Sequence, residues 1–135
     1  MMRVTKKSVI ITSVTAALII GIVILAFYLR DINEYRSQVH EIQFSEVDVA
    51  SIPDGRYTGE CDVGFIYAKV EVVVQDGAIV TINLLRHDNG RGASAEQVIN
   101  DMVDRQTTDV DAISGATNSS KVIRKAVENA LSGQQ

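Results

Sequence analysis

The chain has 135 residues, one cysteine, one proline and a formal net charge of −4. That length suits one folded domain and not comfortably two, and a single cysteine excludes an internal disulfide. Residues 1–30 carry four basic and no acidic residues, whereas residues 31–135 carry nine basic and 17 acidic. The acidic part excludes nucleic acid and an anionic lipid surface as its natural partners.

Residues 8–29 are 22 consecutive residues without a charge, bounded by Lys7 and Arg30, and thirteen of them are Val, Ile, Leu or Phe. A helix of that length spans about 33 Å, enough for a hydrocarbon core of roughly 30 Å. The apolar residues favour insertion by about 4 to 8 kcal/mol before the cost of Ser8, Thr12, Ser13 and Thr15. The run ends in Ala26-Phe27-Tyr28-Leu29-Arg30, which lacks a small-residue cleavage site, so an uncleaved anchor is expected rather than a signal peptide. Arg3, Lys6 and Lys7 precede the span, while Arg30 and Arg36 follow it among Asp31 and Glu34. The positive-inside bias keeps the N-terminus cytoplasmic and puts the rest on the extracellular or periplasmic side of the cell membrane.

The expected layout is therefore a tip and transmembrane anchor over 1–30, a polar stalk over 31–52 and a folded domain over 53–135. Pro53-Asp54-Gly55 is a turn signal that opens this domain. Residues 56–60 read as a short strand. In residues 65–74, Tyr67, Lys69, Glu71 and Val73 alternate with Ala68, Val70, Val72 and Val74, the pattern of a half-buried strand. Asp76-Gly77 marks a tight hairpin, and Ile79, Val80, Ile82, Leu84 and Leu85 form the return strand. Tyr67 is expected in the core, and Cys61 as a small packed side chain. Residues 87–92 (HDNGRG) read as a glycine-rich loop. Ser94 with Gln97 makes a capping box before a helix carrying Ala95, Val98, Ile99, Met102 and Val103. A second helix carries Val122, Ile123, Ala126, Val127, Ala130 and Leu131 and ends at Gly133. The fold class is α+β: a small antiparallel sheet with two helices packed on it, preceded by one transmembrane helix.

Residues 111–120 (DAISGATNSS) carry the chemistry. Ser114, Thr117, Ser119 and Ser120 place four hydroxyls in seven residues. Gly115 and Ala116 leave room for a bulky group. The helix that follows, capped by Asn118, Ser119 or Ser120, presents unpaired amides and a positive dipole end that suit a phosphate. Ser and Thr ahead of a helix also serve as ordinary caps, and both readings stand on the residues alone.

Asp111-Ala112-Ile113-Ser114-Gly115-Ala116-Thr117 resembles the D-x-x-[ST]-G-A-[ST] flavinylation motif of FMN-binding domains. Such domains occur in peripheral subunits of sodium-pumping quinone reductases and related ion-translocating complexes, and as small membrane-anchored proteins. The resemblance runs from about residue 53 to residue 131. It includes Asp54-Gly55-x-Tyr57-x-Gly59, Asp76-Gly77, His87-x-x-Gly90-Arg91-Gly92, Gln106 and Val110-Asp111. It implies that Thr117 receives FMN through a phosphoester bond made by a separate flavin transferase that uses FAD and a divalent metal. Asp111, Ser114, Gly115 and Ala116 are then recognition and positioning residues, with Asn118 and Ser119 beside them. His87, Arg91 and Gly92 belong to the region that borders the flavin in related domains. His87 is equally readable as an exposed loop histidine, and Arg91 as a solvated one. No residue next to Thr117 reads as a general base, consistent with an outside enzyme, and no metal site is expected.

The resemblance implies an electron-transfer flavoprotein, in which the cofactor supplies the redox chemistry and the protein its attachment and surroundings. Its partners would be the membrane, the transferase, and a redox partner protein or quinone-linked donor. Two other roles are a small flavin-dependent reductase and an accessory subunit of an ion-translocating redox complex. A second catalytic constellation, a cysteine pair and a G-x-G-x-x-G run are all missing from residues 31–135, which favours relay over turnover.

Overall fold

The computed structural model describes residues 5–88 and 92–133. The chain divides into two compact units, Met1–Arg36 and Ser37–Gln135.

The first unit is helical. Helix α1 (Lys6–Glu41) is 36 residues long, some 12 residues past the uncharged run, and is long and apolar enough to cross a membrane. Three of the four hydroxyls of its N-terminal third are satisfied within the helix. Thr12, Ser13 and Thr15 donate to the carbonyls of Ser8, Val9 and Ile11 at 2.6, 2.9 and 3.0 Å. This backbone pairing removes much of the cost of polar groups in hydrocarbon.

The second unit begins earlier than the Pro53 turn. Val39 and Val49 are 3% and 5% exposed, so the segment expected as a stalk supplies two core residues. A 3-10 turn, Val49–Ser51, is capped by Asp48, whose carboxylate accepts from the Ala50 amide. Strands β1 (Gly55–Asp62), β2 (Tyr67–Gln75) and β3 (Ala78–Asp88) form one antiparallel sheet in the order β1-β2-β3. A second 3-10 turn (Ala93–Gln97), helix α2 (Val98–Arg105) and helix α3 (Thr117–Ser132) complete it. The α+β expectation holds.

Alternation in β2 sets the core. Ala68, Val70, Val72 and Val74 are at most 1% exposed and face α3, which lies over β1 and β2. Val122, Ile123, Ala126, Val127, Ala130 and Leu131 meet them from α3. Asp76 and Gly77 have φ of 53° and 73°, the left-handed pair that matches the twist of a two-residue hairpin. Register shifts between Lys69 and Val70 and between Val73 and Val74 leave Leu85 and Val80 without a partner on β2. These bulges explain why both side chains are more than half exposed, while Ile79 and Ile82 stay in the core.

Three expectations are corrected. Tyr67 is half-buried on the open face of the sheet, where its hydroxyl donates to Glu60 at 2.7 Å. The strand's period puts it with Lys69 and Glu71, and that outweighs its ring. The hydrogen bond holds the Glu60 carboxyl below its ordinary value and raises the Tyr67 phenol. The Ser94–Gln97 capping box does not form. Gly92 starts a 3-10 turn, Ala95 N–H donating to its carbonyl at 2.9 Å, and α2 begins only at Val98. Finally, β3 runs to Asp88, so His87 is a strand residue; residues 89–91, including Arg91, lie outside the described set.

Asp54 and Tyr57 of the opening pattern have structural tasks. Asp54 accepts from the Asp76 amide at 2.8 Å, and the Tyr57 hydroxyl donates to the Pro53 carbonyl at 2.6 Å. Gln106 ends α2 in a left-handed conformation, φ 56°. Its Oε1 accepts from Ile79 N–H at 2.7 Å, and its Nε2 donates to the Ile79 and Val103 carbonyls at 2.9 and 2.7 Å. One amide side chain thus pairs the outer edge of β3 as a strand would. Gln106→Ala leaves these partly buried groups unmet and is expected to cost about 2 kcal/mol, read as a lower midpoint in urea with an unchanged slope.

Candidate functional site

The motif residues 111–116 lie between α2 and α3. Val110 and Ala116 are buried; Asp111, Ser114 and Gly115 are exposed. Ala116 N–H donates to the Ile113 carbonyl at 2.9 Å, and Gly115, at φ +82°, makes the bend. Thr117 follows as the first residue of α3 and is exposed, as is Asn118.

None of the three expected caps is used. Ala116 holds the N-cap position, with no side-chain hydrogen bond to the helix, and α3 has no acidic residue in its first turn. The helix therefore starts one residue before Asn118 and two before Ser119. Ser119 and Ser120 turn inward, 2% and 0% exposed. Ser120 braces the bend instead: its Oγ accepts from Ile113 N–H at 3.0 Å and donates to the Ala116 carbonyl at 2.8 Å. Sequence reading singled out Ser120 only as a cap; the signal for bracing was its place four residues after Ala116.

The start of α3 thus offers an exposed hydroxyl, a helix terminus without a built-in acidic or side-chain cap, and space. A Cβ on Gly115 would meet nothing within 4 Å, so a bulky group can approach from that side. A phosphate at such a terminus is favoured by amide donors and the dipole. The residues present therefore fit a phosphate-bearing group attached at Thr117. Among the described residues, no cluster of three or more His, Cys, Asp or Glu could hold a metal ion.

His87 is not an exposed loop residue. Its side chain is 2% exposed, and Nδ1 lies 3.0 Å from Glu96 Oε1, which ties the end of β3 to the 3-10 turn at Ala93–Gln97. Gly92 is buried at the head of that turn. This turn in turn packs against α3.

Cys61 is half-buried on β1. Burial pushes its thiol from 9.0 up to about 11. The folded chain prefers the neutral thiol, so this contribution to stability is full below pH 9 and is lost as pH rises from there through about 11. At pH 8 an alkylating reagent is expected to label native protein much more slowly than unfolded protein, as followed by mass spectrometry.

No curated protein matches the chain closely enough to stand as a relative. The family model of the FMN-binding domain matches residues 64–132, just over half the chain. The match takes in β2, β3, α2, the motif residues 111–116 and α3.

Proposed function

The chain belongs to the FMN-binding domain family, and from that premise we propose that it is a membrane-anchored electron carrier with FMN held covalently on Thr117. The observation that carries this reading is the exposed Thr117 hydroxyl at an open helix N-terminus. Thr117 Oγ1 bonds to the flavin-side phosphorus of FAD. The pyrophosphate bond breaks, AMP leaves, and the hydroxyl proton passes to a base of the separate transferase. The first-turn amides of α3 would hold the phosphate, and Gly115 would keep its approach clear. Ser114 and Asp111 are exposed for recognition, and Ser120 keeps the bend in shape. His87, Gly92 and Arg91 are the proposed neighbours of the flavin ring.

FMN, when bound, supplies one- and two-electron redox chemistry. The chain supplies a fixed address: a covalent bond prevents loss of the cofactor outside the cytoplasm, and α1 anchors the domain to the membrane with the N-terminus inside. The redox partner is a protein or a quinone-linked donor.

Stopped-flow reoxidation of the reduced, flavin-loaded chain tests relay against turnover. A carrier exchanges electrons with several acceptors at rates that follow their potentials. Saturation with one acceptor and indifference to the rest would instead establish a substrate-specific reductase.

A further inference from the structure

Between Glu41, the end of α1, and the 3-10 turn at Val49, residues 42–48 cross the second unit without regular secondary structure. The segment is pinned at its ends by the buried Val39 and Val49. Between them Gln43, Phe44, Ser45 and Glu46 are exposed. Beneath lies a groove of about 400 Å³, lined by residues 44–47, 107–109 and Arg124. A segment with four consecutive exposed residues, and only Ile42 and Val47 half-buried beside them, belongs to the low-stability end of local opening.

Two consecutive residues of α3 hold it down. Lys125 Nζ donates to the Gln43 carbonyl and to Glu128 Oε1, both at 2.7 Å. The Arg124 guanidinium lies 4.3 Å from the Phe44 ring centroid. Its Nε donates to the Thr108 carbonyl at 2.9 Å, and Nη2 contacts Asp109 at 3.1 Å. Glu128 is 2% exposed, and its Oε2 has no hydrogen-bond partner among the described residues. A buried carboxylate with one oxygen unmet is costly where an apolar side chain would pack. Its one evident use is to fix Lys125 at the Gln43 carbonyl.

We propose that residues 42–47 are a detachable strap, clasped to α3 by Lys125 and Arg124 and released without unfolding the sheet. The role of the release rests on the carrier reading: once Val39 leaves its packing as well, the freed segment can extend to about 20 Å, which lets one flavin visit a donor and then an acceptor. Arg124 keeps its bonds to Thr108 and Asp109 when Phe44 leaves, so the loop ahead of Asp111 stays in place during release.

Limited digestion of the full chain in detergent micelles with a glutamyl endopeptidase reads the opening, because cleavage after Glu46 requires the strap to leave α3. Native protein is expected to be cut after Glu46 while Glu71, in β2, stays intact. Lys125→Met with Glu128→Leu replaces the ion pair by apolar groups, so the fold is retained. Cutting after Glu46 then rises about tenfold, with an unchanged or higher thermal midpoint. Phe44→Ala, at an exposed position, raises it independently. Parallel cutting at Glu46 and Glu71, or a rate that neither variant changes, overturns the strap. The digestion reads no flavin. A strap that opens in a chain that accepts no FMN therefore stands, and only the carrier reading falls.

Discussion

Thr117→Val, coexpressed with a flavin transferase, is expected to emerge without an FMN-sized mass adduct and without flavin absorbance, while the parent chain carries both. The substitution keeps the β-branched shape and removes only the hydroxyl. Thr117 is exposed and donates no cap bond to α3, so little stability is at stake; exposed substitutions of this kind stay within about 0.5 kcal/mol. Loss of the adduct with an unchanged thermal midpoint separates attachment chemistry from folding. Thr117→Ser restores a hydroxyl at the same place and is expected to recover the adduct. Intact-protein mass spectrometry decides the matter, and an adduct that persists in Thr117→Val moves the attachment to another residue.

Gly59→Ala is expected to be the most damaging single methyl in the domain. A Cβ at Gly59 would stand 2.3 Å from both the Ala126 carbonyl oxygen and the Ala130 nitrogen, and 2.7 Å from the Ala130 Cα. These are backbone atoms of α3, so no side-chain rotation relieves the clash and the helix must move off β1. Overpacking in a close-packed core costs about 1 to 3 kcal/mol when side chains can adjust; a rigid helix backbone puts this case at or above about 3 kcal/mol. For a unit of this size that lowers the thermal midpoint by roughly 12 °C or more. Gly115→Ala is the informative contrast. Its Cβ would meet nothing, but φ is +82°, so only backbone strain of about 1 to 3 kcal/mol is added. Thermal unfolding followed by circular dichroism ranks the two. Equal midpoints for Gly59→Ala and the parent would refute the close approach of α3 to β1. Because α3 also carries Thr117, a displaced helix is expected to lower flavin attachment as well.

What could be read from the sequence was whatever repeats or bends within a few residues. The β2 alternation, the Asp76-Gly77 hairpin, the apolar stripe of α3 and its Gly133 stop are local patterns, and each stands in the fold. The uncharged run of α1 is legible for the same reason: length and composition decide it. The motif around Thr117 was legible as an ordered string; that Thr117 is exposed and that space is open beside Gly115 are features of the fold.

Tertiary structure decided the features whose partners lie far along the chain. Gly59 needs no side chain because Ala126 and Ala130 cross it, more than 60 residues later. The His87 side chain is covered on a strand that continues to Asp88, where Glu96 pairs with it from the following 3-10 turn. Gln106 reads as a helix end until its amide is seen pairing Ile79. Ser120 looks like a cap and is a brace, because α3 starts earlier than its hydroxyls suggest. The stalk became part of the folded unit through Lys125 and Arg124. Periodicity and turn chemistry are short-range, so one chain segment suffices to express them. Close approach, burial of a polar group and a clasp across a groove are properties of two segments together, and only the packed fold brings the second one into view.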